Sequence, residues 1–407
     1  MTSPRDTEVF DLIAQEDRRQ AECLTLIASE NHCSPAVRAA MASLLTDKYA
    51  EGYPGRRYYG GCEVADQIET LAIERAKKLF GADHANVQAH SGTQANLGAY
   101  LSVLAPGDRL LGMALNAGGH LSHGFSRSHS GILFDASSYG IDEDTGLIDY
   151  DEVERLAVER EPKMLVAGFS SYPRHVDWAR MRQIADKVGA WFLADIAHPA
   201  GLVAAGVIES PVGIADFVTM TTHKTLRGPR GGMILCKQEF AKKLDSSVFP
   251  GGQGGPFLHA IAGKAVAFGE ALQPEFKVYG QQVLDNARVL GEALLGHGFQ
   301  IVTGGTDNHL VMVDLRPKGL TGRQAEALCL RAGLVVNKNL IPGDPQKAME
   351  TSGLRLGTAA PTTRGMTQEG FVEIAGLLDR LISGGDSEVE TVRARVRELA
   401  AAHPLPA

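Results

Sequence analysis

The stretch MLVAGFSSYPRHVDWARMRQIADKVGAWFLAD, residues 164–195, decides how the chain folds. It opens on an apolar, strand-like run at 164–169, passes through a helical stretch and closes on a second apolar run at 191–195. Similar runs stand at 85–87, 109–113, 216–220 and 232–236, again alternating with helical stretches. That rhythm predicts an α/β domain with a mostly parallel sheet.

Working outward, a helix is expected over about 63–80, and residues 47–62 (DKYAEGYPGRRYYGGC) read as a loop rich in Tyr and Gly. Residues 9–23 carry apolar side chains at helical spacing, and Ser34-Pro35 is a helix start with Pro in the first turn. Downstream, two long helical patterns at 258–272 and 274–297 lead to a second alternation. It comprises HLVMVDL (309–315), a helix near 321–332, a short strand near 354–356 and C-terminal helices. The expected division is an N-terminal helical arm (1–45), a large domain (46–275) and a smaller C-terminal α+β domain (276–407).

A length of 407 residues suits two or three domains. Lys+Arg 40 against Asp+Glu 48 leaves a net charge of −8, which argues against nucleic acid or an anionic membrane as the main partner. A small anion in a local basic pocket stays compatible with it. The five cysteines form no Cys-x-x-Cys pair, so a reducing cytoplasm is expected rather than a disulfide framework or a zinc cluster. The charged N-terminus has no apolar segment of the signal-peptide kind, and no apolar run approaches membrane-spanning length. The 46 glycines, many in scattered pairs, mark tight turns or places where backbone comes close to a ligand.

Three polar groups fall at the carboxyl ends of expected strands, where ligands of open α/β sheets gather. His90-Ser91-Gly92-Thr93-Gln94 opens a helical run and reads either as a phosphate cradle or as a plain N-cap. Asp195, closing an apolar strand, either caps a turn or meets a cationic ligand group. Lys224, within Thr221-Thr222-His223-Lys224-Thr225, is either a Schiff-base amine or a solvated surface lysine. Taken together they match what pyridoxal 5'-phosphate requires: an anchor for the phosphate, a carboxylate for the pyridine nitrogen and an amine for the aldehyde. No P-loop motif is present. His120-x-x-His123 has no supporting carboxylate or Cys, so no metal is expected, and His120 suits stacking on a flat ring.

At this point the chain resembles the serine hydroxymethyltransferase family of fold-type I pyridoxal-phosphate enzymes. The likeness runs over LIASEN (26–31), KYAEGYPGRRYYGGC (48–62), NVQAHSGTQAN (86–96), GGHLSHG (118–124), DIAHPAGL (195–202), TTHKTLRGPRGG (221–232), FPGGQGGP (249–256), VNKN (336–339) and SGLRLGT (352–358). The resemblance implies a fold like that of aspartate aminotransferase and a homodimer with shared active sites. In its terms Lys224 holds the cofactor aldehyde, Asp195 pairs with the pyridine nitrogen and His120 stacks on the ring. Ser170 and His198 lie near the phenolic oxygen, while Ser91, Gly92 and Thr93 hold the phosphate. Thr221 joins the catalytic set and His223 the cofactor set. Tyr49, Gly254 and Gly255 reach the phosphate from the partner, and Arg355 clamps the substrate carboxylate beside Ser29 and the partner's Tyr59. Glu51 handles the proton of the serine hydroxyl, a task that needs a raised pKa. Leu115, Gly119, Leu121 and Asn339 correspond to positions around tetrahydrofolate, the co-substrate.

The implied reaction converts L-serine and tetrahydrofolate to glycine and 5,10-methylenetetrahydrofolate. Rival readings are a paralogue such as an α-methylserine hydroxymethyltransferase, a folate-independent threonine-type aldolase or transaldolase, or a non-catalytic scaffold. The chain departs from the family pattern at 125–129, 211–216 and 359–361, and none of these departures is expected to touch the cofactor set.

Overall fold

The computed structural model describes residues 6–406. Residues 1–5 of the expected arm and residue 407 lie outside the described residues. The runs at 164–168, 217–221 and 232–236 are buried at every position, as strands covered on both faces must be. They belong to a seven-stranded sheet in the order His84–Asn86, Gly232–Cys236, Phe217–Thr221, Trp191–Asp195, Met164–Gly168, Arg109–Met113, Asp135–Tyr139. Gly232–Cys236 runs antiparallel to both neighbours, and the other pairs are parallel. The sheet is therefore mostly parallel, as the sequence predicts.

Register decides where the chemistry falls. Gly168 pairs with Asp195, Asp195 with Thr219, and Thr221 with Gly232. The ends of four strands thus meet at one edge of the sheet. Close approach there requires glycine: a Cβ on Gly168 would stand 2.2 Å from the Asp195 carbonyl oxygen, and one on Gly232 would stand 2.2 Å from that of Ser91.

Most helices follow their expected bounds. Glu63–Phe80 ends at Gly81, whose φ of 68° supplies the left-handed turn that stops it. Trp178–Val188 starts from the Asp177 side chain, which accepts from the Arg180 N–H. The expected loop at 47–62 contains a small hairpin, Gly52–Tyr53 with Arg56–Arg57. Its two-residue strands are too short to leave a periodic signal. Asp135–Tyr139 (DASSY) was not anticipated either, because an edge strand needs little apolar surface.

A second, antiparallel sheet orders Gln300–Ile301, Leu310–Asp314, Gly353–Gly357 and Asn337–Asn339. The long helix Pro274–Gly296 sends Phe276, Val283 and Leu284 into the core of the large sheet, whereas its Leu290 and Leu294 join the core beside the second sheet. Leu24–Thr25 pairs in parallel with Leu334–Val335, which ties the N-terminal segment to that second core.

Candidate active site

At the meeting edge lies a cavity of about 270 Å³. Ser29, Ser91, Gly92, Thr93, His120, Ser170, Asp195, Thr221, His223 and Lys224 line it, together with Glu30, Phe169, Ala197 and Arg230, which the sequence reading did not single out. Ser91 caps the helix Gly92–Val103 by accepting from the Gln94 N–H. Both readings of this segment therefore hold at once: it is an N-cap, and it also faces a cavity. The N–H groups of Gly92 and Thr93 find no acceptor among the described residues, which leaves two donors at a positive helix end. A Cβ on Gly92 would meet Thr221 Cγ2 at 2.7 Å, so this position is confined to glycine.

Asp195 is buried within a closed set of donors. Its Oδ2 accepts from Asn96 Nδ2 and His123 Nε2, each at 2.9 Å, and its Oδ1 accepts from the Ala197 N–H. Burial works to raise its pKa, but the hydrogen bonds from His123 and Asn96 outweigh it and hold the carboxyl well below the usual range. His123 Nδ1 accepts from the His120 N–H, so the ring presents its Nε2–H to Asp195. Asn96 also donates to Ser122 Oγ and accepts from Thr219 Oγ1, and Ser122 Oγ meets His120 Nδ1 at 2.7 Å. Asp195 is thus a fixed negative charge on one wall. Burial keeps the His120 ring neutral, its pKa pushed down to about 4.

Two buried lysines stand near this edge, and their hydrogen bonds tell them apart. Lys264 Nζ donates to three carbonyls: Val87 at 2.6 Å, Gly232 at 2.8 Å and Ala89 at 3.1 Å. Lys224 Nζ, in contrast, is held by no hydrogen bond or ion pair among the described residues, and Lys224 lines the cavity. Burial, opposed by Asp195 and aided by Arg355 and Arg230, brings its pKa down to about 8. Only Lys224 is available as a nucleophilic amine. Beside it, burial pushes His223 down to about 3, and its Nδ1 accepts from the Gly231 N–H. Thr221 Oγ1 donates to the Ala197 carbonyl.

Arg355 sits in the strand Gly353–Gly357 of the second sheet. It donates through Nη1 to the Ser170 carbonyl and through Nη2 to Asn337 Oδ1, while its Nε is buried without a partner. No carboxylate pairs with it among the described residues, and burial lowers its pKa to about 10. A half-buried guanidinium without a carboxylate is costly unless an anion completes it. His198 is also buried, and its Nδ1 lies 3.2 Å from His309 Nε2, which itself lies 3.2 Å from the Ala28 carbonyl. A carbonyl only accepts, so His309 Nε2 carries the proton and His198 Nδ1 is an acceptor. The hydrogen-bond network therefore assigns the His198 proton to Nε2.

The remaining residues form a separate group outside the cavity. Glu51 accepts from Tyr49 OH at 3.2 Å and from Tyr59 OH at 3.5 Å. Gly254 and Gly255 lie against Glu51 and Tyr49. Tyr49 and Tyr59 are 57% and 47% exposed, so within one chain this group sits on an open surface rather than in the closed apolar pocket expected for Glu51. Its loop is nevertheless firmly held. Arg57 donates to the carbonyls of Ala50 and Gly52 and pairs with Asp66 and Glu69. The Arg57 and Glu69 side chains are 3% and 1% exposed. Arg57→Met leaves Glu69 buried and unpaired, and is expected to cost about 3–5 kcal/mol of stability in a denaturant titration.

Leu115 and Leu121 are exposed on short turns either side of Gly119, and Asn339 lies in the strand Asn337–Asn339. None of these four lines the cavity. Gly119 packs against backbone, since its Cβ would stand 2.0 Å from the Met113 oxygen. One expectation about the departures is corrected: His129, in segment 125–129, meets the Thr93 carbonyl at 3.2 Å and so touches the phosphate cradle. The helix His129–Leu133 brings it there, a contact no local pattern could reveal.

The donor set fits pyridoxal phosphate. Two free N–H groups at a helix end suit a phosphate, an ionised carboxylate suits a protonated pyridine nitrogen, and an unbound amine suits an aldehyde. A mostly parallel sheet carrying these groups at its strand ends defines a fold-type I pyridoxal-phosphate enzyme. The family model described as serine hydroxymethyltransferase matches residues 2–378. A serine hydroxymethyltransferase of Alkalilimnicola ehrlichii is 59% identical over 395 residues, covering 97% of this chain and 94% of that protein. The chain belongs to the serine hydroxymethyltransferase family.

Proposed function

We propose that the chain reversibly converts L-serine and tetrahydrofolate to glycine and 5,10-methylenetetrahydrofolate. The observation that carries this reading is an unbound amine, Lys224, in a cavity whose lining residue Ser170 is hydrogen-bonded by Arg355, a guanidinium with no carboxylate partner among the described residues. An amino acid's carboxylate supplies the missing charge. Family membership favours this reaction over an α-methylserine-specific or folate-independent enzyme.

Pyridoxal phosphate supplies the electron sink that accepts the pair released when the Cα–Cβ bond breaks. Ser91, Gly92 and Thr93 would hold its phosphate, Asp195 would keep the proton on its pyridine nitrogen, and His120 would stack on its ring. His198, with its proton on Nε2, and Ser170 would serve the phenolic oxygen. Thr221 and His223, which line the cavity with Lys224, would support it, and Ser29 would join Arg355 in holding the substrate. Glu51 would move the proton of the serine hydroxyl, with Leu115, Gly119, Leu121 and Asn339 around the folate.

Glu51, Tyr49, Tyr59, Gly254 and Gly255 serve this chemistry if a second copy brings them to the cavity, so we read the enzyme as a homodimer with shared sites. The helix Thr7–Glu22, none of whose residues is buried, supports that reading by exposing Val9, Leu12 and Ile13. An apolar core beside the second sheet, separate from the two clusters that flank the large sheet, supports a division into a large part over 46–275 and a small part over 276–407, with 1–45 as an arm. No helix among the described residues is long and apolar enough to cross a membrane. Five unpaired cysteines suit a reducing cytoplasm.

Glycine formation from L-serine, measured with and without tetrahydrofolate, tests the reaction. Strong stimulation by folate is expected, and equal turnover without it contradicts the proposal. The pH dependence is a second expectation. An amine attacks only as the free base, so trapping of pyridoxal phosphate on the apoprotein by borohydride should rise with pH through a midpoint of about 8. An ordinary lysine titrates roughly two units higher.

A further inference from the structure

Lys264 lies on the helix Leu258–Ala271 with 2% of its surface exposed, and it makes no ion pair among the described residues. A buried ammonium without a counter-ion is tolerated only when its protons are all bonded. Burial pushes the Lys264 pKa down to about 7, but three carbonyls, which only accept, need three protons, and only the ammonium has three to give. Packing alone does not call for a cation, since methionine has a similar shape. What the charge does is gather carbonyl dipoles that point at one spot, as backbone carbonyls do around a dehydrated potassium ion.

The carbonyls belong to the two segments that build the cradle. Val87 and Ala89 lie on the chain leading from the strand His84–Asn86 into Ser91, and Gly232 opens the neighbouring strand. The Gly232 N–H also donates to the Ala89 carbonyl. On the same segment, Gln253 donates to the Gln88 carbonyl and accepts from the His90 N–H. Gly231 leaves room for the lysine, since a Cβ there would stand 2.6 Å from Lys264 Cε.

We propose that Lys264 is a tethered monovalent cation that positions the phosphate-binding turn Ser91-Gly92-Thr93 without touching the cofactor. The proposal rests on the pyridoxal-phosphate reading of the cavity. It is tested by titrating apoprotein with pyridoxal phosphate and, separately, with pyridoxal, which lacks the phosphate, while melting curves report folding. Lys264→Met should lose roughly tenfold to a hundredfold in affinity for pyridoxal phosphate, the size of outer-shell effects. Affinity for pyridoxal should change much less. In Lys264→Ala, potassium or ammonium chloride should restore part of the loss and choline chloride should not.

Gly231→Ala keeps the charge but crowds the lysine stem, and should lower the phosphate preference in the same direction. That variant decides the matter if neither Lys264 variant folds. An unchanged ratio of the two affinities in a folded variant overturns the proposal, as does equal loss for both ligands. Failure of the unaltered protein to bind pyridoxal phosphate would instead overturn the cofactor reading.

Discussion

Replacing Lys224 by alanine is expected to reduce steady-state turnover of L-serine by roughly a thousandfold or more, because the nucleophilic amine has no substitute. The other buried lysine cannot take over, since its three protons are committed to backbone carbonyls. Cofactor binding should survive, weakened, because the cradle and Asp195 keep their own partners. Stability should hardly fall, as Lys224 Nζ makes no hydrogen bond that the fold depends on. The measurement is a pair of assays on one preparation, turnover and equilibrium cofactor binding. Normal multiple turnover would remove Lys224 from the chemistry.

Arg355→Ala is expected to act on substrate rather than cofactor. A guanidinium fork to a carboxylate comprises two charge-assisted hydrogen bonds, each worth about 1.5–3 kcal/mol. Losing both should raise the KM for L-serine by roughly a hundredfold or more. Cofactor affinity should fall far less, because Arg355 bonds no residue of the phosphate cradle and meets Ser170 through its carbonyl rather than its hydroxyl. Arg355→Lys should recover little, since a point charge cannot reproduce the fork. An unchanged KM in Arg355→Ala would place the carboxylate clamp elsewhere.

Much of the fold was legible because strands covered on both faces must be apolar throughout, and those at 109–113, 191–195 and 232–236 have the expected bounds. The edge strand Asp135–Tyr139 was not, because one exposed flank relaxes that demand. In the site, Ser91, Asp195 and Lys224 were legible from their positions after strands. Their supports were not. Asp195 is held by Asn96 and His123, distant in sequence, and only the sheet register brings them together. Lys264 sits in LHAIAGKAVAFGEA, where a single lysine reads as a solvent-facing residue until the helix is packed against the sheet. Glu51 and its tyrosines lie outside the cavity of a single chain, and the expectation of a second copy rests on the family resemblance, since no local pattern of the sequence carries it.

The account stands most directly on which amine receives the cofactor. Borohydride reduction of the protein loaded with pyridoxal phosphate, followed by peptide mapping by mass spectrometry, identifies that amine. The prediction is a single reduced adduct on Lys224. An adduct on Lys264 or on a surface lysine, with Lys224 unmodified, would contradict it.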